Sequence, residues 1–383
     1  MLTLLAALTT AHAQIMPPPP VFPTDAIALW GGFNHFWDNT NHRVQRLGSW
    51  VENGSCGASL CDAALFATAA TGTGDDDANN IGRFTQVRTA AAGFDNGSHT
   101  FSMFGAEGSE IIETFTVNRT LPAALRGKSN YVAVINGFDL KMTDGSSLPI
   151  PDKLGHLRID FDDVTYNPTT HVASFDVEVR LRMDCDSAEC SIWGSFDNLV
   201  EYDLEVQWVI VGGNSTFHYE VETESDGLID DYGWDEYNSS FVCSSFWPCP
   251  ENEIFLADHT IAQTLEGPTG YNKAATAFSF LDVELDSEEG DEGMYLWSLA
   301  LQMKSPSYHA STGDMDVDVD LFAKEWTAWD IAANPASVGH SGDARVKADV
   351  VLLQFADGTV TTGSRTSFFP QDEAHEEEFS IDF

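Results

Sequence analysis

The sequence predicts an all-β protein made of two tandem antiparallel β-sandwich modules, and three observations carry that expectation. Short apolar segments alternate with polar positions along most of the chain after residue 80. Turn-forming residues separate these segments, and no long stretch shows the spacing of an amphipathic helix. The clearest case is Ser174 to Arg182, where Phe175, Val177, Val179 and Leu181 share one side while Asp176, Glu178, Arg180 and Arg182 share the other. A period of two marks a strand with one buried and one wet face.

Leu157 to Asp162, Asp203 to Val211, Asp314 to Leu321 and Val346 to Phe355 read in the same way, with turns such as Tyr166-Asn-Pro-Thr-Thr170 and Asp357-Gly358 between them. Trp208 shares the parity of Leu204, Val206 and Ile210, so it is expected in the core. Several short strands without helices belong to the sandwich or barrel class.

The tandem arrangement comes from comparing the chain with itself. Thr116 to Leu121 is similar to Thr260 to Leu265, and Phe138 to Met142 to Leu281 to Leu285, at offsets of 144 and 143. Tyr166 with Phe175 to Leu181 matches Tyr308 with Met315 to Leu321 at 142 and 140, and Leu204 to Val211 matches Val346 to Leu353 at 142. Five matches in one order predict a duplication. The expected modules are residues 30–213, with an N-terminal extension, and 214–370, followed by an acidic tail over 371–383.

Ahead of these, Met1 to Ala13 is an uncharged apolar run ending in Ala11-His12-Ala13, the pattern of a secretory signal peptide. Pro17 to Pro20 and Pro23 make residues 14–29 an expected Pro-rich spacer. Export agrees with the cysteines, which fall into the couples Cys56 and Cys61, Cys185 and Cys190, and Cys243 and Cys249. Disulfides within each couple suit an oxidising compartment. Zinc is the competing reading, but its usual Cys-x2-Cys spacing is missing. Asn53, Asn96, Asn118, Asn214 and Asn238 begin sequons that permit surface glycosylation. No apolar stretch reaches the length of a membrane helix, so a secreted or cell-surface protein without a transmembrane segment is expected.

Charge excludes one class of partner. The 383 residues hold 60 Asp and Glu against 18 Lys and Arg, a formal charge of -42. Such a surface repels nucleic acid and anionic lipid. Hydrophobic residues at 43% nevertheless supply enough apolar surface for a core, so the charge does not imply disorder.

The strand succession Ile112 to Val117, Tyr131 to Asp139, Leu157 to Asp160, Val164-Thr165, Phe175 to Leu181 and Val206 to Val211 resembles the H-type lectins, the snail-agglutinin family. The resemblance covers residues 110–213 and, more faintly, 253–356. It implies a six-stranded antiparallel sandwich, often trimeric, that binds N-acetylgalactosamine and related sugars. Where the family commonly has Trp-Ala-Asp after its penultimate strand, this chain has Arg182-Met183-Asp184, and Ala323-Lys-Glu-Trp326 in the second copy. Only Asp184 keeps a comparable place, so the family's sugar contacts do not transfer, and Trp326 is carried as a candidate from the second copy.

Sugar recognition uses an aromatic face with nearby acceptors. Trp193 beside the Cys185–Cys190 couple, Trp234 with Asp235, and Trp247 between Cys243 and Cys249 are the expected ligand-binding candidates, each also readable as a cap on the core. Calcium is possible at Glu222, Glu224, Asp226 and Asp230, which occupy positions 1, 3, 5 and 9 of a loop with Gly227 at 6. Gly233 stands where the bidentate Glu belongs, so an acidic turn is the plainer reading. The row Asp314, Asp316, Asp318 and Asp320 spaces its carboxylates roughly 6.8 Å apart, too far for neighbours to chelate without another strand, and reads as a solvated face.

No nucleophile elbow, zincin, P-loop or dinucleotide motif occurs. The leading expectation is therefore a secreted, non-catalytic glycan-binding or adhesion protein, with glycans or other extracellular proteins as partners and a possible homo-oligomer. A structural matrix, filament or surface-coat protein is the alternative, and a secreted polysaccharide-active enzyme the third.

Overall fold

The computed structural model describes residues 26–36, 46–56, 61–68, 79–106, 108–143, 153–184, 199–223, 253–287, 296–326, 342–368 and 377–382. Among these residues lie nineteen strands and no helix. The first seven are β1 (Ala26–Phe36), β2 (Arg46–Cys56), β3 (Cys61–Thr68), β4 (Asn79–Arg88), β5 (Ala92–Ala106), β6 (Ile111–Thr120) and β7 (Asn130–Met142). Then come β8 (Lys153–Phe161), β9 (Thr165–Asn167), β10 (Val172–Asp184), β11 (Leu199–Gly213), β12 (Phe217–Thr223) and β13 (Glu253–Leu265). The last are β14 (Lys273–Ser287), β15 (Leu296–His309), β16 (Asp314–Trp326), β17 (Gly342–Phe355), β18 (Thr359–Phe368) and β19 (Glu377–Asp382).

All pairings are antiparallel, and they form three six-stranded sheets of one pattern. Their orders are β18-β4-β1-β15-β16-β13, β5-β11-β7-β2-β3-β19 and β12-β17-β14-β8-β10-β6. The last two are joined by one bridge, Phe278 opposite Ile135, and the short β9 adds to β10, so by hydrogen bonds they count as a single thirteen-stranded sheet.

Each sheet contributes half of itself to one sandwich and half to the next. In the first sandwich β5-β11-β7 packs on β8-β10-β6, where Trp208 meets Phe175 edge-on at 6.1 Å and His99 stacks on Phe115 at 3.6 Å. The same strand roles recur in the second, β12-β17-β14 against β15-β16-β13, where the Gln354 amide donates to the Tyr308 hydroxyl at 3.0 Å and the Gly313 carbonyl at 2.9 Å. They recur again in a third, β18-β4-β1 against β2-β3-β19, where the Trp30 indole donates to Ser49 Oγ at 3.2 Å.

The first sandwich uses residues 92–213 and the second 217–355. The third takes its strands from 26–88 and 359–382, so it does not coincide with either expected module. Its β1 starts inside the expected spacer and β19 lies inside the expected acidic tail; both are strands because β4 and β15, or β3, supply their hydrogen-bond partners.

Register follows the pattern closely. The strands β1, β7 and β14 each pass through a bulge, at Gly31, Asn136 and Ser279, where their pairing with β4, β11 and β17 slips by one residue. Just beyond it, Gly32 lies opposite Gln302, Gly137 opposite Trp50, and Phe280 opposite Asp160. These three seams close the sandwiches into a ring. By register, Tyr166 corresponds to Tyr308 and Leu204 to Val346, while Phe175 corresponds to Val317 rather than Met315.

Two apolar cores result. The larger fills the sandwiches, with Phe175, Val177, Val179, Leu181 and Trp208 inside it as alternation predicts. The second contains Ile27 and Leu29 of β1, Val132 and Val134 of β7, Ala275 and Ala277 of β14, and residues such as Val211, Phe217, Leu353 and Phe355. It lies on the other face of the same strands, where the three sheets meet. Phe217, Leu353 and Phe355 are fully buried there, each worth roughly 1.5–3 kcal/mol of transfer free energy.

Three short corners cover this second core. Thr89 Oγ1 donates to the Asp357 carbonyl at 2.8 Å, Thr216 Oγ1 to the Ala91 carbonyl at 3.1 Å, and the Ala356 amide to the Thr216 carbonyl at 2.9 Å. Each corner thus bonds to another, linking 89–91, 214–216 and 356–358.

Two outcomes test this architecture. Gly137 has φ +130°, and a Cβ there would lie 2.3 Å from the Trp50 Cα. Gly137→Ala should therefore lower stability by about 3 kcal/mol or more, measured by urea denaturation; a loss under about 1 kcal/mol would show that the seam tolerates a wider spacing. Deleting residues 359–383 strips β18 from the whole length of β4 and β19 from β3. The shortened chain should lose its cooperative thermal transition or aggregate on size exclusion, as a bare apolar edge dictates.

Candidate functional site

The connections of the ring divide sharply between its two ends. At the end covered by the corners, links are short: 89–91, 214–216 and 356–358, the turns after Asn167 and His309, and 121–129 and 266–272. At the opposite end lie Met142, Lys153, Asp184, Leu199, Ala106 and Ile111 of the first sandwich, tied together by register and by the Gly108 amide donating to the Met183 carbonyl at 3.0 Å. The chain leaves and re-enters at this end for residues 143–152 and 185–198, and at the matching strand ends of the second sandwich for 288–295 and 327–341. Residues 224–252 leave β12 at Thr223, opposite Asp349 midway along β17, and re-enter at this end at Glu253. Long connections held on a rigid frame are where binding residues concentrate.

The sequence-predicted ligand residues distribute accordingly. Asp184 is the last residue of β10, opposite Lys153, and Trp326 is the last residue of β16, opposite Glu253. By register these two hold the same place in the first and second sandwiches. Trp193, Trp234, Asp235 and Trp247 lie outside the described residues, in 185–198 and 224–252. Of the calcium candidates, Glu222 is a β12 residue opposite Val350, while Glu224, Asp226 and Asp230 lie outside the described residues.

Cys56 and Cys61 are register partners across β2 and β3, whereas Cys185, Cys190, Cys243 and Cys249 lie outside the described residues, as do residues 1–13. Trp208 is a core residue, 5% exposed.

One sequon is not at the surface. Asn53 is buried, and its side chain accepts from the Ala28 amide at 2.7 Å and donates to the Ala28 carbonyl at 3.1 Å. An amide doing both jobs inside the third sandwich cannot carry a glycan in the folded chain. Asn118 and Asn214 are exposed.

Polar groups that sequence reading passed over gather at the seams, toward the same end as the long connections. On the β2–β7 seam Arg46 forms a two-pronged ion pair with Asp139, both contacts 2.8 Å, and its guanidinium lies 5.9 Å from the Trp50 ring centre. The β8–β14 seam has His156 in the place of Arg46 and Asp282 in that of Asp139. His156 Nε2 lies 2.8 Å from Asp282 Oδ1 and Nδ1 lies 2.7 Å from Glu110 Oε1. Burial favours the neutral ring, but the hydrogen bonds and charges of Asp282, then Glu110, outweigh it and hold the His156 pKa above its ordinary value.

At the β1–β15 seam the carboxylate position holds Asn34, and no charged pair forms there among the described residues. Instead, Arg83 reaches across Gly32 to donate to Gln302 Oε1 at 2.8 Å. The Gln302 amide donates to Asp320 Oδ2 at 3.1 Å, and Thr260 Oγ1 to Asp320 Oδ1 at 2.8 Å. Lys304 pairs with the same carboxylate. Asp320 is therefore taken out of the acidic row expected to be solvated, since a neighbouring strand carries its partners; Asp314, Asp316 and Asp318 of that row lie toward solvent.

The residue matching Arg83 on the β8–β14 seam is Asp349. Burial, followed by the charge of Asp160, pushes its carboxyl up to about 6, with Arg158 opposing. No group of three or more His, Cys, Asp or Glu side chains able to hold a metal occurs among the described residues. No described helix is long and apolar enough to cross a membrane.

No family model matches the chain, and neither the curated proteins nor the solved structures contain a match.

Asp349 yields a pH-dependent outcome. Its folded pKa lies above the unfolded value near 3.9, so its contribution is most favourable below that value and is lost as pH rises through about 6. Asp349→Asn should then leave stability at pH 4 nearly unchanged and raise it at pH 8 by about 1 kcal/mol, after discounting for partial solvent screening. Urea titrations at the two pH values measure the difference; an equal effect at both would remove the carboxylate as its cause.

Proposed function

We propose that this protein is a secreted, non-catalytic glycan-binding or cell-surface adhesion protein that presents its ligand contacts at the long-connection end of the ring. The observation that carries the reading is where the candidates fall along the topology. Asp184 and Trp326 end matching strands; Trp193 belongs to the stretch that leaves from Asp184, and Trp234, Asp235 and Trp247 belong to the one that returns at Glu253, opposite Trp326.

Further support comes from the sandwiches themselves. Each has six principal strands in two three-stranded faces, the architecture implied by the resemblance to the H-type lectins, and three of them stand in one ring. In this reading one chain offers up to three recognition places, and multivalency raises affinity for a repeated surface glycan without stronger individual contacts. Calcium at the acidic stretch that begins with Glu222 would sit at the start of the longest connection, 224–252. Disulfides in the three cysteine couples would brace the connections and the β2–β3 hairpin, where directly opposed residues are close enough for a bridge. Export through the apolar leader provides the oxidising compartment they need.

The test is a glycan array probed with the full chain, with and without Ca2+. Binding to terminal N-acetylgalactosamine or related sugars is the expected result, and weakening on substitution of Trp193 or Trp234 by Ala would assign the aromatic face. Absence of binding to every glycan in both conditions would overturn the proposal, and binding that survives chelation would remove calcium from it.

A further inference from the structure

The three seams are equivalent in register and different in chemistry. At the position of Arg46 on the β2–β7 seam, the β8–β14 seam has His156 and the β1–β15 seam has Ser298. Diagonally across the seam, two residues from the position directly opposite, stand Asp139, Asp282 and Asn34. One seam is thus closed by a permanent cation, one by a titratable cation, and one without a charge pair at this position.

We propose that the β8–β14 seam is a pH-sensitive joint of the ring, tightened while His156 carries both ring protons and loosened when it gives one up, with the other two seams largely indifferent.

The geometry requires both protons for full closure. Each ring nitrogen faces a carboxylate, Asp282 on one side and Glu110 on the other, and a carboxylate only accepts. A neutral imidazole has one N–H, so losing a proton leaves one nitrogen lone pair against a carboxylate less than 3 Å away in a buried place. The surrounding charges do not replace that proton. Arg180 on β10 is engaged by Glu178 at 2.8 Å and reaches Glu110 only at 3.8 Å. Arg182, opposite His156 on β10, donates to the Leu285 carbonyl at 3.4 Å, and β14 presents a further carboxylate, Glu284, opposite His156. On the same strand Arg158 is held by Asp160.

A second group acts in the same direction. Asp349 gains charge beside Asp160 as pH rises, with only Arg158 to offset it. Rising pH thus removes a positive charge and adds a negative one along a single seam. Because Glu110 sits in the turn between β5 and β6 and Asp282 belongs to the next sandwich, the His156 ring joins two sandwiches at the end where the long connections begin. The sign is that of a raised histidine: its contribution is complete below the unfolded pKa near 6.5 and is lost as pH climbs through the higher folded value.

Two measurements on the full chain decide the matter. The His156 ring proton resonance, followed by NMR between pH 5 and 9, should titrate above 6.5. Amide exchange, corrected for intrinsic pH dependence, should lose protection on the β8–β14 seam roughly tenfold for each pH unit by which the folded pKa is raised, while β2–β7 changes less than about twofold. In His156→Arg the loss should shrink to the part that follows Asp349 through about pH 6, and in His156→Arg combined with Asp349→Asn it should disappear. A His156 titration at or below 6.5, equal changes at the two seams, or a pH response that persists in the double variant would overturn the proposal. Should the variant fail to fold, the first two measurements on the unaltered chain still decide it.

Discussion

The ring depends on the bulges in β1, β7 and β14. Before the bulge, one face of each strand fills a sandwich and the other face fills the core where the three sheets meet; Val132 and Val134 of β7 point one way, Ala133 and Ile135 the other. After it, Phe138 and Leu140 resume the sandwich face, and Asp139 occupies the face that had been apolar. An extra residue shifts the phase by one and increases local twist, which is what lets a strand finish in one sandwich while pairing with the first strand of its neighbour's other face. Without that slip, Asp139 would point into the sandwich and Phe138 into the seam.

Polar groups hold these bulges in a buried place. Asn136, the extra residue of β7, is 1% exposed; its Oδ1 accepts from the Trp30 amide at 3.2 Å and its Nδ2 donates to the Val51 carbonyl at 2.6 Å. It thereby satisfies backbone groups of β1 and β2 that the ladder leaves open. Around it Trp30 meets Phe138 at 6.0 Å and Phe278 at 5.7 Å, both edge-on, so aromatic side chains from all three sheets converge next to the polar staple. The centre of the ring is therefore specified by geometry as well as by apolar area, and apolar area alone would accept many alternative registers.

Much of this was legible in the sequence, and the part that was not has a physical reason. Strands with one wet face, such as β10 and β16, announce themselves by alternation because their environments differ on the two sides. Tyr131 to Ile135 and Val350 to Leu353 have both faces buried, so alternation vanishes and the run says strand without saying what covers it. The covering element was the other two sheets. The phase break was present as Ile135 and Phe138, or Phe278 and Leu281, spaced by three where an unbroken strand would space them by two. The third sandwich escaped self-comparison because its strands come from opposite ends of the described chain, and an ordered search for matches at one offset cannot pair them. Sites suffered differently. Loop aromatics stand out by composition, whereas Arg46, His156 and Glu110 acquire meaning only when β2, β8 and the β5–β6 turn are brought beside strands 93, 126 and 46 residues away or more.

The acidity of the chain takes on structure in this frame. A net charge of -42 on a ring with two apolar cores must be borne on outer strand faces and at the ends. The few cations are spent where sheets cross or strands join: Arg46 on Asp139, Arg158 on Asp160, Lys304 on Asp320, Arg119 on Asp95. Placing scarce positive charge at joints, and leaving rows such as Asp314, Asp316 and Asp318 to water, makes the seams the places most dependent on Coulombic attraction and the rows the places most repelled at low ionic strength. Salt screens exposed rows more than half-buried pairs, so moderate ionic strength relieves the repulsion while sparing the joints. A saline setting is the condition under which that distribution of charge costs the fold least.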